Sequence, residues 1–480
     1  MGTVHCKDVP PDQTIGDVRS HFAATGLQGE RDHYESDKGQ STEQKQINLD
    51  GVKARVDKIY VDGLSRTKDD IIIATVRDLF QAKDFQEVIV GAHKVRGKLE
   101  GLGCFRNIGI YIDTSSGPHA TPEGVEVTFY VRELKRIVGG VSTLVGNNEG
   151  SLVVQMRLPN IFGRGEKLQT EYSYGSQKTS TFNLSFTKPL QGNLNPVFTG
   201  TVFQAGSEWP SSGYKQIERG LLLDFGFNST PLVRHNLQWE GAWRDISCMS
   251  RSAAFQVREQ TGPSLKSSVR HILTFDCRDA PILPTCGSLI KLTQEFAGLG
   301  GNIGFFKNDL CLQSNWTLLA DMVVQATLQA GFLTRINNSQ NVGICDQFFL
   351  GGPLSLRGFQ ARGVGPHKDG NALGANAYWS GGLHLFTPLP FSPGKGGLGD
   401  FFRTHLFVSA GNLDNVYLGK EMPTSFQTLM RTVRMAYGIG VALRLGQMGR
   451  IELNYCIPVL YRREDQPNHG VQFGIGVHFP

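Results

Sequence analysis

The sequence predicts an all-β transmembrane barrel of roughly sixteen antiparallel strands, preceded by one small α+β domain. Three observations carry this. First, Gly470 to Pro480 alternates strictly, with Val471, Phe473, Ile475, Val477 and Phe479 on one face and Gln472, Gly474, Gly476 and His478 on the other. Second, from about Arg136 onward no helical period persists, while alternation recurs, as in Leu152/Val154/Met156/Leu158, Ile439/Val441/Leu443/Leu445 and Ile451/Leu453/Tyr455/Ile457. Third, these strands run to about ten residues or more, the length a tilted membrane-crossing strand needs.

The polar positions between them carry Gln155, Arg157, Lys167, Glu171, Arg444, Glu452 and Asn454, so one face of each strand is wet and the other is not. Periodicity alone fits a soluble sandwich equally well, with a second sheet in place of lipid. Strand length and number favour the bilayer. The strand count is sixteen or seventeen, because Val233 to Gln260 reads as one long strand or two.

Composition agrees. The 480 residues include 58 glycines, and only 19% are charged, which suits strands and turns better than helices. The net charge of +5 is spread among 43 acidic residues, leaving no electrostatic footprint for a nucleic-acid partner. No run approaches the roughly eighteen apolar residues of a membrane helix; Trp316 to Phe332 is interrupted by Asp321, Gln325 and Gln329. Met1 to Asp17 lacks the basic-then-apolar order of a secretory leader and carries Asp8, Asp12 and Asp17 where a transit peptide avoids acids. The eight cysteines have no CxxC spacing, so reduced thiols and no metal site are expected.

Ahead of the strands, residues 1–50 are polar and read as a mobile tail, with Met1-Gly2 open to acylation. Residues 51–134 read as a β-α-α-β-β unit. Val56 to Val61 alternates up to a turn at Asp62-Gly63. Thr67, with Asp70 three residues on, resembles a helix start. Phe85, Val88, Ile89, Ala92, Val95, Leu99 and Leu102 follow a helical period that stops at Gly103. Ile108/Ile110/Ile112 and Val125/Val127/Phe129/Val131 are period-two strands. Residues 135–480 form the barrel.

Within the barrel, residues 340–372 give about thirty positions without a strand pattern, a length usually functional or disordered. At the centre, Phe348-Phe-Leu-Gly-Gly-Pro-Leu-Ser-Leu-Arg-Gly-Phe359 is too apolar for a surface loop and is expected to fold back into the lumen. Catalytic patterns are poor: there is no HExxH, P-loop or GxSxG. Gly394-Lys-Gly-Gly-Leu-Gly399 satisfies GxGxxG but lies between two strands, where a flexible turn is the natural description. No enzyme, cofactor or metal is expected.

Leu356-Arg357-Gly358-Phe359, in a long loop after a small β-α-α-β-β module, resembles the outer-membrane protein insertase superfamily typified by bacterial BamA. Asp62-Gly-Leu-Ser-Arg-Thr-Lys-Asp-Asp-Ile-Ile-Ile73, Gly146-Asn-Asn-Glu-Gly-Ser151, Phe402-Arg-Thr-His-Leu-Phe407 and Glu452-Leu-Asn-Tyr-Cys456 resemble, within it, the core-subunit family of the mitochondrial sorting and assembly machinery. The likeness covers nearly everything after the tail. It implies a single POTRA domain in the intermembrane space and a barrel in the mitochondrial outer membrane. It also implies insertion of β-barrel precursors such as the voltage-dependent anion channel and the general import pore. Metaxin-type subunits, the cristae-organising MICOS complex and the lipid bilayer are the further partners it implies.

Closing such a barrel sets the first strand against the last. Gly139, Gly140 and Val141 mark one side of the expected lateral gate, and Gln472, Gly474, Val477 and Phe479 the other. Glycines remove side-chain packing from such a seam, and an opened seam offers unpaired N–H and C=O groups to an incoming strand. Substrates of the resembled family end in polar-x-Gly-x-x-apolar-x-apolar, which Gln472, Gly474, Val477 and Phe479 match; this reads as the last strand occupying the place a client's last strand takes, and assembly of the chain's own barrel accounts for the match equally. Arg357 needs a partner if buried. His384 and Ser409 stand at what look like the places where bacterial relatives have acids, which leaves the contact undefined: Glu452 is a candidate, and a hydrated or aromatic contact is equally open. A passive diffusion pore and a two-partner-type polypeptide export pore are the competing functions.

Overall fold

The computed structural model describes residues 3–8 in their backbone, and residues 51–118, 120–146, 148–190, 192, 194–318, 321–337, 340–389, 398–417, 422–446 and 449–476. The chain divides into two compact units, residues 1–138 with 158–166, and residues 139–157 with 167–480.

In the first unit, β1 (Thr3–Asp8), β2 (Arg55–Leu64), β3 (Phe105–Thr114) and β4 (Gly124–Glu133) form a sheet in the order β1-β2-β4-β3. Helices α1 (Asp69–Val76) and α2 (Phe85–Leu102) lie between β2 and β3 in the chain. The apolar spacing read in the sequence is the packing: Val88, Ala92, Val95, Leu99 and Leu102 of α2 are buried with Ile59, Val61, Val127 and Phe129. Gly103, at φ 60, ends α2 in the left-handed conformation that glycine takes at low cost.

Three expectations change here. Thr3–Asp8 pairs in parallel with β2, from Thr3↔Lys58 to Asp8↔Leu64, and so belongs to the sheet; the rest of the expected tail lies outside the described residues. The turn expected at Asp62-Gly63 is strand, because Gly63 at φ +99 lets the backbone pass where a Cβ would stand 2.0 Å from the Val131 carbonyl oxygen. Thr67 does not cap α1, which starts after Lys68 without a side-chain cap. Its hydroxyl is engaged by Glu133 of β4 at 2.6 Å.

That carboxylate also accepts from three successive backbone N–H groups, Ser65 at 3.1 Å, Arg66 at 3.0 Å and Thr67 at 2.9 Å. Burial pushes the Glu133 pKa up, but these bonds outweigh it and hold the group below the ordinary glutamate value. Their contribution is therefore fully present above the ordinary glutamate pKa and is lost as pH falls through the lowered value of the folded state. Glu133→Gln is expected to accelerate amide exchange at Ser65 to Thr67 about thirtyfold at neutral pH, the weight of ~2 kcal/mol for bonds to a charged group. The parent should lose the same protection on acidification.

The second unit is one antiparallel sheet of sixteen strands. In chain order these are β5 (Val138–Gly146), β6 (Glu149–Pro159), β7 (Lys167–Gly175), β8 (Ser180–Pro189), β9 (Val197–Trp209), β10 (Tyr214–Thr230) and β11 (Val233–Cys248). Then come β12 (Gly262–Asp276), β13 (Gly287–Gly301), β14 (Phe305–Thr317) and β15 (Val323–Arg335). After the long loop, with its two-residue strands β16 (His367–Lys368) and β17 (Asn371–Ala372), follow β18 (Ala377–Pro388), β19 (Phe402–Asp414), β20 (Arg434–Leu445), β21 (Gly449–Leu460) and β22 (Gly470–Gly476). Each strand of the meander pairs with its neighbours, and β15 pairs with β18 across the loop. The ambiguous Val233 to Gln260 is one strand, β11, followed by a short helix α3 (Phe255–Glu259).

Burial separates the two readings left open by periodicity. On β21, Leu453 is 52% and Tyr455 53% exposed, while Glu452 and Asn454, which alternate with them, are fully buried. A soluble sandwich does the reverse. The apolar face turns outward to lipid and the polar face lines a filled lumen, as in transmembrane barrels. The fold is a sixteen-stranded transmembrane β-barrel unit and a small α+β domain.

Candidate functional site

Inward-facing alternate positions of β20, β21 and β22 build the floor on which the long loop sits. Leu356 and Phe359 are fully buried in a cluster with Phe305, Leu350, Leu413 and Ala436. Between them Arg357 is fully buried, and its Nε and terminal nitrogen donate to Glu452 Oε2 at 3.1 and 2.9 Å. The guanidinium carbon lies 5.4 Å from the centre of the Phe407 ring. Glu452 is shared: Asn454 Nδ2 donates to Oε2 at 3.0 Å, and Arg450 reaches Oε1 at 2.8 Å. Of the candidates for Arg357, the carboxylate of Glu452 is the ion partner; His384 is buried nearby and stacks with Phe386 and Phe407.

Gly358 takes φ +82 and carries its backbone against β20, where a Cβ would lie 2.7 Å from that of Ala436. Close approach brings its N–H to the side chain of Gln472 on β22, which accepts at 3.1 Å through Oε1. The other end of the same amide donates to the Phe359 carbonyl at 2.9 Å. One glutamine thus satisfies the two polar groups that flank the Gly358–Phe359 peptide, the Gly358 N–H and the Phe359 C=O, in a lumen where an unmet group is costly. The loop then runs beside the β21–β22 connection: Asn468 N–H donates to the Gly358 carbonyl at 2.8 Å, and Gln360 N–H to that of Gln466 at 3.0 Å. Gly363 closes a turn on Gln360 at 2.9 Å, and Gly365 N–H donates to Asp465, itself paired with Arg434 at 2.9 Å.

The loop's other attachments lie across the lumen. Asp346 is bound by Arg244 of β11 at 2.8 Å, and its carbonyl by Lys307 of β14 at 2.7 Å. Arg362 is held between the rings of Trp209 and Phe349, 3.8 Å from each, and donates to Ser212 at 2.9 Å and Tyr214 at 3.2 Å. Interior ion pairs on that wall (Lys266–Glu295 at 2.5 Å, Arg270–Glu240 at 3.1 Å) continue the charged lining. The loop is a strut fixed at both walls.

The residues singled out at the gate fall on two strands. Gly139, Gly140 and Val141 lie on β5, and Gln472 and Gly474 on β22; Val477 and Phe479 lie outside the described residues. β5 and β22 are the two ends of the strand order. A Cβ on Gly139 or Gly140 would meet nothing nearer than 3.8 Å, so packing does not demand glycine there. Residues 394–397 of the GxGxxG match are also outside the described residues; Leu398–Phe401 is a short 3-10 turn.

An Omp85 superfamily domain model matches residues 160–479. The chain belongs to the Omp85 superfamily. Within it, the sequence is 44% identical to the sorting and assembly machinery component 50 homolog of Bos taurus and 43% identical to that of Homo sapiens, each over the full length of both chains, which places it in that family. This Omp85 fold is also that of BamA from Haemophilus ducreyi lacking POTRA domains 1–3, at TM-score 0.70 and 18% identity, over 88% of this chain and 84% of that one.

Sequence reasoning missed two features of this Omp85 chain, the amide of Gln472 on the loop backbone and the clamp around Arg362. The inward phase of Gln472 was legible; its partners, 113 and 114 residues away, were not.

Proposed function

We propose that this chain is a mitochondrial outer-membrane insertase that folds β-barrel precursors at a lateral gate between β5 and β22. The observation that carries the reading is the Gln472 amide on Gly358 and Phe359: the lumen strut is bonded to the strand that ends the sheet, so the seating of the loop and the state of that edge are linked. Family membership supports the assembly role. A strand parted from its neighbour in lipid leaves unmet N–H and C=O groups, and a precursor strand supplies them by β-augmentation. The work is templating, with no nucleophile, metal or cofactor. The small domain stands in the intermembrane space as a POTRA domain. The voltage-dependent anion channel and the general import pore are clients, and metaxin-type subunits and MICOS are standing partners. A passive pore shares the barrel but gives no work to a loop tied by buried ion pairs to both walls.

A photo-crosslinker placed at Val141 tests the gate. The terminal strand of an arriving precursor is expected to form an adduct there, and none with the same probe at Leu237 on the far wall. Precursor assembly without a Val141 adduct overturns the gate.

A further inference from the structure

Gly146 ends the first strand of the sheet, and Asn148, just ahead of β6, touches the last. Asn148 N–H donates to the Ile475 carbonyl at 3.1 Å, and Ile475 N–H donates back to Asn148 Oδ1 at 3.0 Å. A regular antiparallel pair makes both bonds from backbone. Here a side-chain oxygen replaces one carbonyl, from a residue at φ 61, a conformation asparagine tolerates better than most.

Asn148 is itself fixed. Its carbonyl accepts from Gln177 Nε2 at 3.2 Å, and the buried carboxylate of the next residue, Glu149, accepts from Gln177 N–H at 3.1 Å and Thr179 Oγ1 at 2.6 Å. Thus Asn148 and Glu149 are braced by the β7–β8 turn, and Asn148 presents one side-chain acceptor to β22.

Because Ile475 aims its N–H and C=O at Asn148, the period of two aims those of Phe473 and Val471 to the same side. Continued in antiparallel register, Phe473 would fall opposite Gly150 and Val471 opposite Leu152. Both belong to β6, which lies beyond β5 in the strand order. The first strand, which ends at Gly146, therefore stops short of the level of Ile475, and the Val471–Phe473 edge runs past it.

We propose that Asn148 is the latch of the seam: its side-chain carbonyl holds Ile475, closes the first hairpin on the last strand, and leaves the main chain of Val471 and Phe473 as the edge where an extended strand starts to pair. This rests on the gate reading. The acceptor is a single neutral group that water or an incoming N–H replaces, so the closure is reversible where a full ladder would not be.

The test uses the full-length protein in lipid nanodiscs. Asn148→Gly keeps the left-handed backbone and the N–H donor and removes only the side-chain acceptor; Asn148→Asp keeps an acceptor. Amide exchange at Ile475 is expected to rise about tenfold in N148G and to return towards the parent rate in N148D. A photo-crosslinker at Val141 should capture a radiolabelled β-barrel precursor correspondingly faster in N148G. Unchanged exchange at Ile475 in N148G overturns the latch and leaves the gate standing. Faster exchange with unchanged capture overturns its role in insertion. Loss of the Val141 adduct in the parent itself marks failure of the gate reading instead.

Discussion

Glu452→Ala is expected to be far more damaging than Arg357→Ala, although the two side chains form one pair. Both are fully buried, and breaking a buried pair on one side costs about 3–5 kcal/mol. The environments differ. Without Arg357, Glu452 keeps Arg450 at 2.8 Å and the Asn454 amide at 3.0 Å. Without Glu452, two buried arginines lose the carboxylate they share. Replacing all three charges together, as R357M and R450M with E452L, removes the whole buried cluster and should cost less than E452A alone, since apolar substitution of a complete buried ion cluster is often near neutral. Hydrogen exchange across Leu356 to Gly363 in the full-length barrel reads the effect, because the ion pair seats that stretch. The same protection in E452A as in the parent would show that the pair does not hold the loop. Precursor assembly should fail in E452A while the protein stays in the membrane.

How far the sequence carried this result depends on the range of each interaction. Alternation at Ile451/Leu453/Tyr455 is a local pattern of side chains on a strand, so the strands, the lipid face and the inward phase of Glu452 and Gln472 were all readable. What alternation does not encode is which inward group meets which. Glu452 was one candidate among several for Arg357, 95 residues away, and the choice depends on the register of β20 and β21 beneath the loop. The misread helix start has the same origin. Thr67 and Asp70 have the local look of a capped terminus, but Glu133 is 66 residues on and offers a charged acceptor that outcompetes the helix end for the hydroxyl. Gly63 looked like a turn because an Asp-Gly pair usually is one; the close pass of the Val131 carbonyl makes the same glycine a strand residue.

Gly358 offers the second large effect. Gly358→Ala faces two separate penalties. At φ +82 an L-residue carries strain of about 1–2 kcal/mol, and its Cβ would stand 2.7 Å from that of Ala436, an atom fixed to the β20 backbone. Overpacking of a closed interior costs a further ~1–3 kcal/mol. Relief by backing the loop away breaks the contact of Gly358 N–H with Gln472, and the adjoining Arg357 loses its alignment on Glu452. Unseating is thus expected to be cooperative, with the Gln472 bonds and the ion pair lost together. Adding Ala436→Gly to G358A removes the clash and leaves the strain, so exchange protection of the loop should recover in part. Full recovery would mean that the positive φ carries no cost, and no recovery would mean that the clash is not what displaces the loop. Because the released amide of Gln472 belongs to the last strand, G358A should also alter precursor capture at Val141, which a loop serving only to fill the lumen would leave unchanged.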